Sequence, residues 1–120
     1  CGISQYILNE YLKDEEKYEK HLQDIRDDYE KKANFFCEQL DKYLPEFKYE
    51  KPKGGMFLYG SFEGIDSFAL VQKCIEQKVV YVPGNQFYID KIPNGEIRFN
   101  YTHSSFEQIE KGIKLIKNCL

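Results

Sequence analysis

Arg98 is the residue of this sequence whose type and setting best suit a chemical task. It lies in a run of alternating apolar and polar residues, which would place Ile97 and Phe99 on one face of a strand and Arg98 and Asn100 on the other. A guanidinium on the wetter face of a half-buried strand presents a planar fork that matches a carboxylate. Arg98 is therefore a candidate carboxylate receptor. The alternative is a surface ion pair with an acidic neighbour, which is common and contributes little.

Length and composition indicate one folded domain. The chain has 120 residues, 42% of them hydrophobic, with ten Tyr and nine Phe, which is enough to bury a single core. We predict one domain over residues 1–120, with a helical lead-in at 1–44 and an α/β core at 45–120. The chain begins abruptly at Cys1, in an apolar helical pattern, and we expect it to be a fragment of a longer protein.

The charge pattern argues against a nucleic-acid partner, and the hydrophobic pattern argues against a membrane partner. There are 17 basic and 20 acidic residues, without the basic cluster that phosphate binding requires. No apolar run approaches the roughly 20 residues needed to span a bilayer, and no signal-peptide pattern opens the chain. We predict a soluble, cytoplasmic protein.

The cysteines and histidines do not form a recognisable reactive or metal-binding motif. The four cysteines are scattered: Cys1, Cys37, Cys74 and Cys119. Neither His21 nor His103 stands at metal-ligand spacing from them, so no metal site is predicted. We expect free thiols, with Cys37 and Cys74 as small core or boundary residues, and both histidines at the surface or at helix ends.

Two helices are predicted in the first third of the chain. Residues 3–12 form the first, and a charged break at 13–16 separates it from a long second helix that ends before Pro45. The long helix carries one apolar stripe, and its remaining positions are mostly charged. It should therefore lay one face on a sheet and leave the other in water.

Two more helices follow in the rest of the chain. Asp66 can cap a third helix that runs from 67 to about 77, with Ile75 among its inward-facing residues. The last helix opens with a capping box formed by Ser104 and Glu107 and runs to Leu120.

Three strands complete the prediction. One spans Met56 to Ser61 or Phe62, the β-prone run Val79–Val82 reads as an interior strand, and the third carries Arg98. The fold class is therefore α+β, a two-layer sandwich in which a small, mostly antiparallel sheet has helices packed on one face, preceded by a long helix. Arg98 would lie on the free face.

Three segments in fixed order carry a family resemblance: 51–59, 80–87 and 97–102. Together they resemble the C-terminal small domain of the pyridoxal-phosphate-dependent aminotransferases of classes I and II, fold type I. The stretch 18–29 is similar to the long interdomain helix of that family, and Ser4-Gln5 to the segment just after its cofactor-binding half. The resemblance covers nearly the whole chain.

The resemblance implies roles for three residues. The match to the family's carboxylate-binding arginine falls on Arg98, which would pair with the α-carboxylate of the substrate. Phe87 would border the pocket for the substrate side chain. Gly55, with Gly54, would allow a close backbone approach beside the active-site cleft, although a loop glycine pair without ligand contact is the alternative.

The resemblance also implies what lies outside this chain. The family's Schiff-base lysine and the groups that hold pyridoxal 5'-phosphate belong to a larger domain, so we expect no catalytic or cofactor-binding residue here and no activity from the isolated chain. The implied partners are an amino acid, a 2-oxo acid and the large domain of the same parent chain. The intact protein would be a homodimer.

Two other functions are compatible with the same residues. The domain type also resembles the effector-sensing half of transcription regulators that carry an aminotransferase-like body. A stand-alone α+β binding module, docking a peptide or a small acid on its sheet, is the third hypothesis.

Overall fold

The computed structural model describes residues 1–90 and 92–120. Within those ranges the elements follow one another as α1 (Gly2–Leu12), α2 (Glu15–Tyr43), β1 (Lys48–Tyr49), β2 (Phe57–Ser61), α3 (Ser67–Glu76), β3 (Val82–Pro83), a 3-10 helix (Gly84–Phe87), β4 (Glu96–Asn100) and α4 (Phe106–Cys119). The predicted helix positions are confirmed to within a few residues at each end.

The four strands form one antiparallel sheet in the order β1-β2-β4-β3. Strand β4 is central, and its residue Arg98 lies opposite Tyr59 of β2 on one side and Val82 of β3 on the other. Side chains that oppose each other across an antiparallel pair share a face of the sheet. Arg98, Tyr59 and Val82 therefore point to the same side.

The helices cover the other face of the sheet. Ile97, Phe99 and Tyr101 are buried there, and the Phe36 ring of α2 lies 5.4 Å from the Phe99 ring between ring centroids. Each large side chain removed from water contributes roughly 1.5–3 kcal/mol of stabilisation. The predicted fold class, a two-layer α+β sandwich with helices on one face, is confirmed.

The long helix α2 is held at both ends by local hydrogen bonds. The Asp14 side chain accepts a hydrogen bond from the backbone N–H of Lys17 at the start, and the Leu44 N–H bonds to the Leu40 carbonyl at the end. Its five buried residues all belong to its C-terminal half: Ala33, Phe36, Cys37, Gln39 and Leu40.

No helix in residues 1–90 or 92–120 is both long enough and apolar enough to cross a membrane.

The prediction of an interior strand at Val79–Val82 is wrong. Within this run only Val82 pairs with β4, and together with Pro83 it forms an edge strand. Val80 is 76% exposed, so the run is covered on one side only. Pro83 has no N–H to donate to a further strand, which suits it to an edge.

Two details of the predicted helices are also wrong. The capping box of α4 is one residue later than expected: the Ser105 hydroxyl accepts from the Gln108 N–H, and the Gln108 side chain accepts from the Ser105 N–H. In α3, Ile75 is half exposed rather than turned inward. The predicted core positions Cys37 and Cys74 are buried, as expected.

Candidate functional site

The uncovered face of the sheet carries a cluster of aromatic and charged side chains. Phe57 and Tyr59 of β2 lie beside Asn100 and Arg98 of β4, and Glu96 stands two residues before Arg98 on the same face. This alternation follows from the two-residue period of a strand. The position of Arg98 on the free face agrees with the sequence prediction.

Two aromatic rings flank the Arg98 guanidinium. Its central carbon lies 4.2 Å from the centroid of the Phe57 ring and 5.0 Å from that of Phe87. Both distances fall in the range of cation–π attraction, which favours a cation over an aromatic face. The rings therefore restrict where the guanidinium can lie.

No carboxylate of the described residues engages the guanidinium. No acidic group in residues 1–90 or 92–120 forms a salt bridge with Arg98. Its Nε atom is buried and lacks a hydrogen-bond partner among those residues. The alternative interpretation of Arg98, a surface ion pair with an acidic neighbour, is therefore not supported. A planar carboxylate could accept two parallel hydrogen bonds from this group.

Glu96, the acidic residue nearest to Arg98 along β4, is bound to two phenols. Tyr59 donates to Oε2 at 3.0 Å, and Tyr88 donates to Oε1 at 3.1 Å. Burial and the hydrogen bond to Glu96 raise the pKa of Tyr59, and the bond to Glu96 raises the pKa of Tyr88. Each carboxylate oxygen of Glu96 thus accepts a hydrogen bond from one hydroxyl.

The 3-10 helix places Phe87 over the sheet. Gly84 and Asn85, at its start, are buried, and a Cβ on Gly84 would collide with Cβ of Glu96. The absence of a side chain at Gly84 lets this turn pack directly on β4. Phe87 then reaches Tyr59, with the ring centroids 6.1 Å apart in an edge-on arrangement.

A hollow of about 320 Å³ lies beside Arg98 at the edge of the sheet. Val80, Val82 and His103 are among the residues that line it. The Asn100 side chain accepts hydrogen bonds from the backbone N–H groups of Thr102 and His103, which holds the turn after β4. Arg98 and Phe57 also line this hollow.

Gly55 lies apart from this cluster. It has a φ of 83°, and its carbonyl accepts a hydrogen bond of 2.8 Å from the Tyr101 hydroxyl. Gly55 lines a separate hollow beside α2, together with Tyr101 and Arg26. Of the three predicted site residues, the structure therefore brings Arg98 and Phe87 together and leaves Gly55 apart.

The sequence prediction missed four residues that surround the guanidinium or its neighbour: Phe57, Tyr59, Tyr88 and Glu96. Phe57 and Tyr59 could have been found, because the same alternation that placed Arg98 puts them on one face of β2. Tyr88 gives no such signal, because it lies outside the strands.

The sequence and fold resemble known aminotransferases over part of their length. The chain is 33% identical to Aromatic-amino-acid aminotransferase 1 of Thermococcus litoralis, over 92% of this chain and 25% of that protein. It is 29% identical to 2-aminoadipate transaminase of Thermus thermophilus, over 98% of this chain and 30% of that protein.

The fold also superposes on solved aminotransferase structures. The crystal structure of LysN, the alpha-aminoadipate aminotransferase of Thermus thermophilus complexed with N-(5'-phosphopyridoxyl)-L-leucine, superposes with a TM-score of 0.87 at 28% identity, over 97% of this chain and 30% of that one. An archaeal alanine:glyoxylate aminotransferase superposes with a TM-score of 0.82 at 35% identity, over 97% and 29%. The chain spans less than a third of the length of these relatives.

A family profile covers almost all of the sequence. Residues 1–116 match the profile described as Aminotransferase class I and II. The match includes all three segments of the predicted resemblance and the whole of β4. The chain therefore belongs to the class I and II aminotransferase family.

Proposed function

We propose that this chain is the C-terminal small domain of a pyridoxal-phosphate-dependent aminotransferase, in which Arg98 binds the α-carboxylate of the substrate. The intact enzyme would transfer an amino group between an amino acid and a 2-oxo acid. Membership of the class I and II family supports this activity.

The observation that carries the proposal is that the Arg98 guanidinium lacks an acidic partner among the described residues. It lies on the uncovered face of the central strand, between Phe57 and Phe87, and no described acidic group neutralises it. A half-buried cation without a protein partner is suited to an anionic ligand.

Arginine suits this task because of its shape. Two parallel hydrogen bonds to one carboxylate fix the plane of the bound amino acid as well as its position, and a lysine would supply the charge without the plane. The flanking rings limit the rotation of the guanidinium. Binding would thus orient the reacting Cα–H bond before the chemistry begins.

The residues that the structure describes suit binding of the substrate rather than binding of the cofactor. Of the fourteen described lysines, thirteen are exposed. Lys32 is half-buried, but its ammonium is held by Asp28 and by the Thr102 carbonyl. We propose that pyridoxal 5'-phosphate, which supplies an electron sink when bound, is held by a larger domain outside these residues.

Further parts of the proposal concern the setting of the site. Phe87 would border the substrate side chain, since half of its surface is exposed beside Arg98. Gly55 lines a different hollow from Arg98, so we propose for it only a role in the backbone turn that precedes β2. We propose a homodimeric enzyme in the cytoplasm, a compartment compatible with its four free thiols.

The test uses the intact protein. The purified protein should show the absorbance band of lysine-bound pyridoxal 5'-phosphate. This band should shift when an amino acid is added. The Arg98→Ala variant should lower kcat/KM by an amount equivalent to about 2–5 kcal/mol, the loss expected for a truncated charge pair. Arg26→Ala, which removes an exposed arginine of α2, is the matched control and should leave kcat/KM unchanged.

Two results would contradict the proposal. Near-normal kinetics of the Arg98→Ala variant would remove Arg98 from the site. Binding of an amino acid without any cofactor absorbance would instead favour an effector-sensing role.

A further inference from the structure

Glu96 and Arg98 should attract each other, but the structure keeps them unpaired. They stand two residues apart on one face of β4, a separation of about 6.6–6.8 Å between Cα atoms in a strand. Both side chains are long enough to meet across that distance. Yet no salt bridge joins them, and the Glu96 carboxylate points to Tyr59 and Tyr88 instead.

The two phenols occupy both oxygens of the carboxylate. Tyr59 comes from the neighbouring strand β2, and Tyr88 comes from the end of the 3-10 helix, so donors from two separate elements converge on Glu96. Hydrogen bonds to a charged acceptor are stronger than those between neutral groups. The carboxylate thus has partners that do not require Arg98.

We propose that Tyr59 and Tyr88 are positioning residues that hold the Glu96 carboxylate away from Arg98 and so keep the guanidinium available for the carboxylate of the substrate. This inference rests on the proposed function of Arg98. Without the two hydroxyls, Glu96 is free to rotate toward Arg98 and to compete with the substrate for the same cation. The phenols would therefore act on affinity without touching the substrate.

The hydroxyls of Tyr59 and Tyr88 can be removed without removing their rings. Tyr59 packs edge-on against Phe87, which also flanks the guanidinium. A phenylalanine at position 59 would keep this packing and lose only the hydroxyl. Replacing Tyr59 and Tyr88 by Phe thus separates the hydrogen bonds from the ring contacts.

The experiment measures binding of two unreactive probes to the intact protein by calorimetry. Hexanoate carries a carboxylate, and hexanamide is its neutral analogue. In the Tyr59→Phe/Tyr88→Phe variant, the Kd of hexanoate should rise about two- to fivefold, the effect of a surface ion pair competing for one cation. The Kd of hexanamide should not change.

A third substitution tests the cause. Adding Glu96→Gln to the double variant removes the competing charge, and the Kd of hexanoate should return to its original value. A purely structural role of the tyrosines would predict no such recovery. Tyr43→Phe, which removes a phenol that bonds to Glu110 on the helical side, is the matched control and should leave both probes unaffected.

The outcomes separate this inference from the proposed function. If Arg98→Ala abolishes hexanoate binding but the double tyrosine variant binds it normally, the positioning role is wrong and the receptor role stands. If the double variant weakens hexanoate and Glu96→Gln fails to restore it, competition by Glu96 is again wrong. If Arg98→Ala binds hexanoate as tightly as the unaltered protein, the receptor role itself fails.

Discussion

Arg98 and Phe57 lie diagonally across the β2–β4 pair, with the guanidinium carbon 4.2 Å from the centre of the phenyl ring. Phe57 itself opposes Asn100, so the guanidinium leans along the sheet toward this ring. We therefore expect the Phe57 ring to affect the binding of any ligand that Arg98 holds.

Replacing Phe57 by Leu should weaken substrate binding in the intact protein. Leucine keeps an apolar side chain but removes the aromatic face, and a cation–π contact contributes about 0.5–2 kcal/mol. We expect KM for the amino acid to rise about two- to thirtyfold, measured by steady-state kinetics. Phe68→Leu on α3, at similar exposure, is the control. Equal KM values for the two variants would contradict a role for the Phe57 ring.

Replacing Arg98 by Lys should recover only part of the activity lost in Arg98→Ala. The ammonium restores the charge but cannot form the bidentate pair, so orientation of the substrate would remain poor. We expect a kcat/KM between those of the alanine variant and the unaltered protein. Full recovery in Arg98→Lys would show that charge alone is sufficient.

Leu40→Ala should strongly lower the free energy of unfolding. Leu40 is fully buried on α2, and a leucine-to-alanine change in a core costs about 2–5 kcal/mol through lost burial and the cavity left behind. Urea unfolding measures the change. Leu12→Ala on α1, where the side chain is 41% exposed, is the control and should cost far less.

Ser105→Ala should lower the free energy of unfolding by about 1 kcal/mol, because it removes the hydroxyl that caps α4. Ser104→Ala should change it by less than about 0.5 kcal/mol, as is usual for substitutions without a specific contact. The pair of variants tests the capping assignment directly. A larger loss at Ser104 would place the cap where the sequence pattern first suggested it.

Stability should fall at high pH because of Cys74. Burial, followed by the hydrogen bond with Cys119, raises the pKa of the Cys74 thiol from 9.0 to about 12. Between these two pH values the Cys74 thiol loses its proton in the unfolded chain but retains it in the folded chain. The contribution of this thiol to the free energy of unfolding is therefore present below pH 9 and is lost as the pH rises toward 12.

The measurement compares the unaltered protein with Cys74→Ala by urea unfolding across this pH range. The difference in free energy of unfolding between the two should narrow as the pH rises. Cys1→Ala, which removes an exposed thiol, should give a constant difference. A constant difference for Cys74→Ala as well would contradict the assignment.

The strand of Arg98 could be predicted because its evidence is local. Alternation over Glu96–Asn100 fixes which side chains share a face, and burial of Ile97 and Phe99 confirms it. The prediction of an interior strand at Val79–Val82 was wrong because β-propensity shows only that a side chain fits a sheet. It does not show whether a strand has a neighbour on both sides. The short strand β1 carries no pattern long enough to detect.

The surroundings of Arg98 could not be predicted because they depend on long-range register. The bond between Tyr59 and Glu96 joins residues 37 positions apart, and it exists only because β2 and β4 pair in one particular alignment. Phe87 and Tyr88 reach the sheet through a tight turn, and no periodic pattern marks a turn of four residues. The position of Arg98 on the free face could thus be predicted from the sequence, whereas the groups around it could not.

Helix α1 buries none of its eleven residues, although Ile3, Ile7 and Leu8 are apolar. A helix of this length is only marginally stable in water by itself, since about 12–15 residues are needed even in favourable sequences. Its amide hydrogens should therefore exchange rapidly with solvent deuterium whenever nothing covers those side chains. Slow exchange at residues 2–12 would be a direct sign that another surface rests on them.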